Sequence, residues 1–526
     1  MSTALLATLL LGVGIGGYAF YEPDEARHAS VAREMLDAAG WRDWVVPKVG
    51  GRPYRNKPAP FYWPVAASLA WVEVSERGAR LASVVAGVLT ATLVSAWAAR
   101  WWGPLAAGLA GLTLVTAPEY FLLGRFVSPD MALTLWVTLG VLAVHRFAQR
   151  AGASLVPAAI AGACGLLCKG LIAPGIIASV GLVYLASCRR LRLLTPRALV
   201  MAALAFVTVA LPWHVAAGTL DAAYLHTLFI DQQWKRAVDA SSRLHARSFL
   251  YYVPVLLGGF FPWSALLPAT LYGTLRRGRR DDAATFCGIW AAVVLLIFSL
   301  SQGKVGSYIL PAFPPLALLT ARYLGLLLSG TAAAPELRLV RVGLWTVVGV
   351  LALAPVAAVT AGSVTYDGAL LPASLWSLLL LAPAVGLALM LRRDRLRDAV
   401  LVVGGACVAL LVVVAVVVAP QLMEVHGEAP VVRALRAASD QAAAPIVAYN
   451  VQSASLRFYL RRPVLLRETP EQLRRLQAEH PVIFVLTSPR HVTQLAEAGT
   501  FVPWYVGPRR VLYASVPPPE PVGAQR

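Results

Sequence analysis

Charge is what this chain has least of. Asp, Glu, Lys and Arg make up 14% of its 526 residues, against about a quarter in an ordinary soluble domain. Apolar types supply 58%, and the mean hydropathy is +0.65. That balance excludes a typical soluble fold and points to a bilayer as solvent. Acid is scarcer than base, 27 residues against 46, for a formal net charge of +19. In a soluble chain such an excess would argue for nucleic acid. Here the arginines gather at the ends of apolar runs, the positive-inside pattern with added contacts to anionic headgroups, so the expected partners are membrane lipids and not nucleic acid. Cysteine is sparse as well. Cys164, Cys168, Cys188, Cys287 and Cys407 show no zinc-ribbon spacing and no disulfide framework, and they read as buried free thiols.

What is present is a succession of apolar segments. Runs of about 20 residues, long enough to cross hydrocarbon, recur about thirteen times. Their limits are 3–20, 79–98, 104–122, 131–149, 153–168, 171–187, 198–216, 249–272, 283–300, 307–327, 342–361, 373–391 and 398–420. The first lacks a basic leader and a cleavage site, and reads as an uncleaved helix. With the N-terminus in the cytoplasm, Arg146/Arg150, Arg189/Arg190/Arg192/Arg197, Arg276/Arg277/Arg279/Arg280 and Arg392/Arg393/Arg395/Arg397 all fall inside. An odd number of spans then puts the C-terminus outside. The same assignment gathers the polar runs around Asp24, Asp130, Lys169, His245, Lys304 and Tyr308 on the outer face.

The expected organisation is a transmembrane domain over 1–420, a soluble α/β domain over 421–515 and a disordered tail over 516–526. Residues 21–77 form the first outer loop, with amphipathic interfacial helices over Ala26–Ala39, ended by Gly40, and over Pro60–Val72. In the soluble part, Val431–Ser439 and Pro470–Glu479 read as helices, and Pro445–Tyr449 and Val482–Leu486 as strands.

Polar side chains near hydrocarbon are costly unless they serve a purpose. The densest cluster is Tyr21-Glu22-Pro23-Asp24-Glu25-Ala26-Arg27, followed in the same loop by Tyr54-Arg55-Asn56-Lys57-Pro58. Asp24 is a candidate to orient or deprotonate an acceptor, with Glu25 beside it; the alternative is a helix N-cap. Arg27, Tyr54, Arg55 and Lys57 suit phosphate oxygens, with headgroup snorkelling as the alternative for any single cation. Lys304 and Tyr308 lie in the glycine-containing turn Ser301-Gln302-Gly303-Lys304-Val305-Gly306-Ser307-Tyr308 and extend the phosphate set. Asp130 is either catalytic or the N-cap of its helix. Lys169, between two apolar halves, and His245, in a polar outer loop, are candidate substrate contacts.

Taken in order, these runs resemble the GT-C polyprenyl-phosphate glycosyltransferases, especially the aminoarabinose (lipid A) transferase and protein O-mannosyltransferase-like group. Asp24-Glu25-Ala26-Arg27, Tyr54-Arg55-Asn56-Lys57-Pro58, Ser128-Pro129-Asp130-Met131, Leu167-Cys168-Lys169-Gly170 and Leu211-Pro212-Trp213 carry the likeness. His245 to Tyr252, Phe261-Pro262-Trp263 and Lys304 to Tyr308 complete it. The resemblance implies an α-helical integral membrane protein of GT-C fold with a small C-terminal periplasmic α/β domain, in a bacterial inner membrane. It implies inverting transfer of one sugar from an undecaprenyl-type phosphate to lipid A, another envelope glycan, or a protein Ser or Thr. It assigns the catalytic carboxylate to Asp24, lipid-phosphate contacts to Arg27 and Lys57, and a gating or phosphate-binding role to Tyr308. No cofactor is expected. A divalent metal is compatible with the pattern but not expected, since Asn56 stands where close relatives often carry Glu. The rival class is a transporter or flippase of a polyprenyl-linked substrate, for which no internal repeat is evident.

Overall fold

The computed structural model describes residues 2–235, 247–277, 281–365, 373–438 and 444–517. The chain divides into two compact units. One comprises Met1–Val13, Arg55–Phe61 and Arg80–Val414, the other Gly14–Tyr54, Tyr62–Ala79 and Ala415–Arg526.

The first unit is helical because its apolar runs leave no other way to satisfy the backbone in lipid. Among the described residues seven helices are long and apolar enough to cross a membrane, or eight if the pair Phe249–Gly259 and Trp263–Arg276, bent by 110°, is one span. The protein is therefore multi-pass, although the expected count of thirteen is not reached by that measure. Four shorter apolar helices, Thr3–Gly12, Val156–Lys169, Ile172–Ser187 and Leu379–Arg392, occupy further expected segments. The expected spans 79–98 and 104–122 fall largely in one helical stretch, Glu76–Val115, broken at Gly103. There φ is 86° and Pro104 follows, a pairing that lets the axis turn.

The helices of this unit run so that like chemistry meets at like ends. Tyr184 donates to Asp282 at 2.6 Å, Gln149 donates to the Tyr184 hydroxyl at 2.6 Å, and Arg322 pairs with Asp281 at 2.9 Å. Arg190 reaches the Ala148 carbonyl at the same end. These residues close helices Pro129–Gln149 and Ile172–Ser187 and open Asp282–Leu300. The opposite ends carry Asp130 and the turn after Leu300.

In the second unit a five-stranded sheet has the order Val464–Arg467, Ile446–Tyr449, Phe484–Thr487, Val511–Ala514, Val502–Val506. The first three strands are parallel and the last two antiparallel to their neighbours. Ile446 and Ala448 enter one apolar cluster with Leu435 and Leu456, while Val447 and Tyr449 enter another with Leu473 and Leu495. Both faces are covered, which is why these strands read as continuous apolar runs. Thr469 and Gln472 close a capping box on helix Pro470–Glu479, whose expected limits match. The expected strands at 445–449 and 482–486 appear within two residues. Three strands and helix Ala454–Leu460 were not expected. Only Val516 and Pro517 of the expected tail are among the described residues.

The first-loop helix runs from Asp24 to Asp37, two residues earlier at each end than expected. Its C-cap is Ala38 in extended conformation, so Gly40 does not end it. Val31 and Met35 are buried as expected, but so are Glu25, His28, Ser30 and Arg33. The helix packs on Tyr62–Trp71 and on Ala454–Leu460. It is covered by protein on two sides rather than lying open along an interface.

Candidate functional site: a cation-bearing cavity in the membrane-spanning unit

Ser128 N-caps helix Pro129–Gln149, its hydroxyl accepting from the Asp130 N–H at 3.2 Å. Of the two readings of Asp130 the N-cap one is thereby removed, and its carboxylate is left for other partners. Lys169 is the principal one: the two side chains, each 9% exposed, form a buried ion pair. Ser128 and Ser307 hydroxyls donate to the other Asp130 oxygen at 2.9 and 3.2 Å. The Lys169 ammonium also stands 4.4 Å from the centre of the Tyr308 ring, a cation–π contact. Three motifs thus converge, the first and last of them 177 positions apart.

Lys169 reaches this position because its helix stops beside it. Gly170 has φ of 92°, and its Cα is packed so closely by the Gln233 amide that a Cβ would collide with it. Gln233 in turn accepts from the Leu171 N–H at 2.7 Å and donates to the Leu228 carbonyl at 3.1 Å.

A cavity of about 470 Å³ opens against this cluster. Asn56, Lys57, Lys169, Gln232, Gln233 and Tyr308 supply its polar wall, and Leu, Ile, Phe and Trp side chains much of the rest. Lys57 is held by its backbone, whose carbonyl accepts from the buried Tyr224 hydroxyl at 2.7 Å. Two lysines beside an apolar lining make a pocket for a group that is anionic at one end and hydrocarbon at the other.

Other predicted residues sit elsewhere. Arg55 makes a bidentate pair with Asp221, at 2.6 and 3.1 Å. Lys304 is buried and donates to the carbonyls of Ser301 and Arg247, tying the turn together instead of joining the cavity wall. His245 lies outside the described residues. Gln232, Gln233 and Asp221 were not anticipated, and no local signal marks them.

Asp24, Glu25, Arg27 and Tyr54 belong to the second unit. Asp24 is exposed and opens its helix, with no side-chain cap bond from the N-cap Pro23, and pairs with Arg27 at 3.2 Å. Arg27 also donates to Gln452 at 3.0 Å. Glu25 is buried and accepts from the Tyr21 N–H at 2.9 Å. Tyr54 is buried edge-on against Tyr62. Nearby, Glu22 accepts from the N–H groups of Ser455 and Ala454 at 2.6 and 3.4 Å. Burial, and then the charge of Glu428, push its carboxyl up to about 7. Glu428 is itself held by Ser455 at 2.7 Å and Arg510 at 3.0 Å. Among the described residues no three His, Cys, Asp or Glu side chains form a group that could hold a metal ion.

The fold defines the class first. ArnT from Cupriavidus metallidurans, solved with bound undecaprenyl phosphate, superposes with a TM-score of 0.78 at 23% identity, covering 98% of this chain and 97% of that one. The archaeal oligosaccharyltransferase AglB from Archaeoglobus fulgidus gives 0.51 at 12% identity, over 93% and 69%. The chain has the GT-C fold. Within that class the sequence is more specific. Residues 24–229 match the family model for dolichyl-phosphate-mannose-protein mannosyltransferase. The undecaprenyl phosphate-alpha-4-amino-4-deoxy-L-arabinose arabinosyl transferase of Pectobacterium carotovorum subsp. carotovorum is 35% identical over 356 residues, 65% of this chain and 61% of that protein. Its counterpart in Pseudomonas aeruginosa is 34% identical over 315 residues, 58% and 56%. The aligned region spans less than two thirds of either relative's length. The resemblance read from the ordered motifs is borne out by these relatives.

Proposed function

We propose that the protein is a membrane glycosyltransferase that takes a single sugar from a polyprenyl phosphate and transfers it to an envelope acceptor, lipid A foremost. The observation that carries this reading is the cavity of about 470 Å³ with Lys57 and Lys169 on an otherwise largely apolar wall. In transfer, the bond between the anomeric carbon and the phosphate oxygen breaks, and its electron pair stays on the lipid phosphate. Lys57 and Lys169 are in place before that charge develops, so stabilising it requires little reorganisation. Asp130 fixes Lys169 through their buried ion pair, and Tyr308 lies against it at the cavity wall. The acceptor oxygen forms the new bond from the opposite face of the sugar, with inversion. Asp24 keeps the role the resemblance gives it, orienting the acceptor and taking its proton where the acceptor is a hydroxyl. No nucleotide enters this reaction, and the Asn56 amide in place of a carboxylate gives a divalent ion little to bind beside Lys57.

The membrane in question is the bacterial inner membrane, with the N-terminus cytoplasmic and the C-terminal α/β domain periplasmic. Arg146, Arg150, Arg189, Arg190, Arg192 and Arg197 on one end of the helices, with Asp130 and Lys169 at the other, support that orientation.

The test is to incubate purified protein with undecaprenyl phosphate sugars and with lipid A, glycan or peptide acceptors, and to follow release of undecaprenyl phosphate. Release that requires an acceptor, falls at least a hundredfold in D24N, and persists in R322K, a conservative change at the far end of the helices, is expected. A panel-wide absence of release with the lipid still bound would turn the reading towards transport.

A further inference from the structure

Four arginines surround a separate cavity of about 320 Å³ in the second unit. Its walls are helix Asp24–Asp37, the turn at Gly50 and Gly51, and the C-terminal half of helix Ala454–Leu460 with the residues that follow it. Arg33 comes from the first wall, and Arg457, Arg461 and Arg462 from the last. The acids on the walls are Glu34 and Asp37. Glu34 accepts from the N–H groups of Gly50 and Gly51 at 2.8 and 3.5 Å, which fixes the turn. Asp37 lies 3.4 Å from the Arg33 Nε. Among the described residues Arg457, Arg461 and Arg462 have no carboxylate in ion-pair contact.

Backbone carbonyls account for part of this chemistry. Arg33 donates to the Phe458 carbonyl, Arg457 to Val464 at 3.1 Å, and Arg462 to Ala444. A guanidinium has five N–H donors, and one carbonyl each leaves most of them over. Arg33 is 3% exposed, yet its Nε and Nη2 are without hydrogen-bond partners, as is the buried Arg457 Nε. Arg33 is buried with only Asp37 as counter-charge, Arg457 and Arg462 are half-buried, and burial holds all three below the ordinary guanidinium pKa, a cost when charge is poorly compensated. An anion in the cavity would reverse that penalty. Four cations against two acids leave two positive charges, which a dianion neutralises and a carboxylate does not. Planar guanidinium forks also match phosphate geometry.

We propose that this arginine-lined cavity is a second anion site, taking a phosphate monoester or diphosphate group. It shares no lining residue with the Lys57 cavity and does not depend on the transferase reading. The experiment is a calorimetric titration of inorganic pyrophosphate into full-length K57Q protein in detergent, with acetate as the monoanion control. The K57Q background removes one of the two lysines of the membrane cavity, the other being already paired with Asp130. Saturable pyrophosphate binding is expected, weakened at least tenfold in R461Q/R462Q, whose side chains are exposed or half-buried, at an unchanged melting temperature. R457Q weakens it comparably. A second arm compares nanodiscs of phosphatidate with nanodiscs of phosphatidylcholine. A rise in melting temperature with phosphatidate that R461Q/R462Q abolishes marks a lipid headgroup as the source, and pyrophosphate binding alone marks a free phosphate. No saturable binding of either probe, or equal binding by parent and arginine variants, overturns the proposal.

Discussion

Asp130 and Lys169 show what a single pair of side chains does here. Each lies almost out of solvent, so removing one charge strands the other. D130N should therefore lower stability by about 3 kcal/mol, and the neutral double variant D130N/K169Q should recover much of it. Thermal melting in detergent measures both. Glu22 behaves in the opposite sense. Its folded-state pKa of about 7 stands above the ordinary 4.5, so the folded state binds the proton more tightly. Stability from this group is complete below pH 4.5 and is lost as pH rises to about 7. E22Q should then melt higher than the parent at pH 8, by on the order of 2–3 kcal/mol, and match it near pH 4. Lys169 was legible because it interrupts an apolar run, and Asp130 and Tyr308 because they stand at the ends of such runs, where ionisable and polar groups gather. The sequence did not foretell the partners of Arg55 and Lys304, which are Asp221, 166 positions away, and backbone carbonyls. Basic residues at a membrane face look alike until the fold supplies what they touch.

Among the elements, the break between helices Val156–Lys169 and Ile172–Ser187 governs the cavity. Gly170 sits there with positive φ and with Gln233 against it. Gly170→Ala is expected to cost about 1–3 kcal/mol and to displace Gln233, reducing sugar transfer more than it reduces expression. Comparison of activity per folded protein checks this. The interruption itself was visible in the sequence as Lys169-Gly170, whereas the contribution of Gln233 was not, since a lone polar residue there carries no spacing signal. Helix Asp24–Asp37 teaches the reverse. Its apolar stripe predicted a surface-lying helix, but buried Glu25, His28 and Arg33 have protein partners that amphipathic periodicity cannot reveal. Of the parallel strands Val464–Arg467 escaped notice, in part because four residues are too short for any periodicity to register.

At the scale of the molecule, the membrane course was read from long apolar runs and arginine placement, and both signals are strong. The exact number of crossings was less legible, because Thr3–Gly12 and Val156–Lys169 are too short to be judged by length. The orientation can be checked directly. In a cysteine-free background, a thiol at Thr469 should react with an impermeant maleimide in intact spheroplasts, and one at Arg192 only after lysis. The reverse labelling would invert the topology.

Ser30 of the first loop donates to the carbonyl of Ala454 across a separation of 424 positions. During synthesis helix Asp24–Asp37 leaves the ribosome long before the helix that covers it exists. Its buried Arg33 and Met35 must wait through the insertion of every intervening span. A message truncated after the last span would yield a chain that is threaded through the membrane but has an unfinished first loop, open to quality-control proteases. For this protein a helix translated after the membrane spans decides whether the first loop matures.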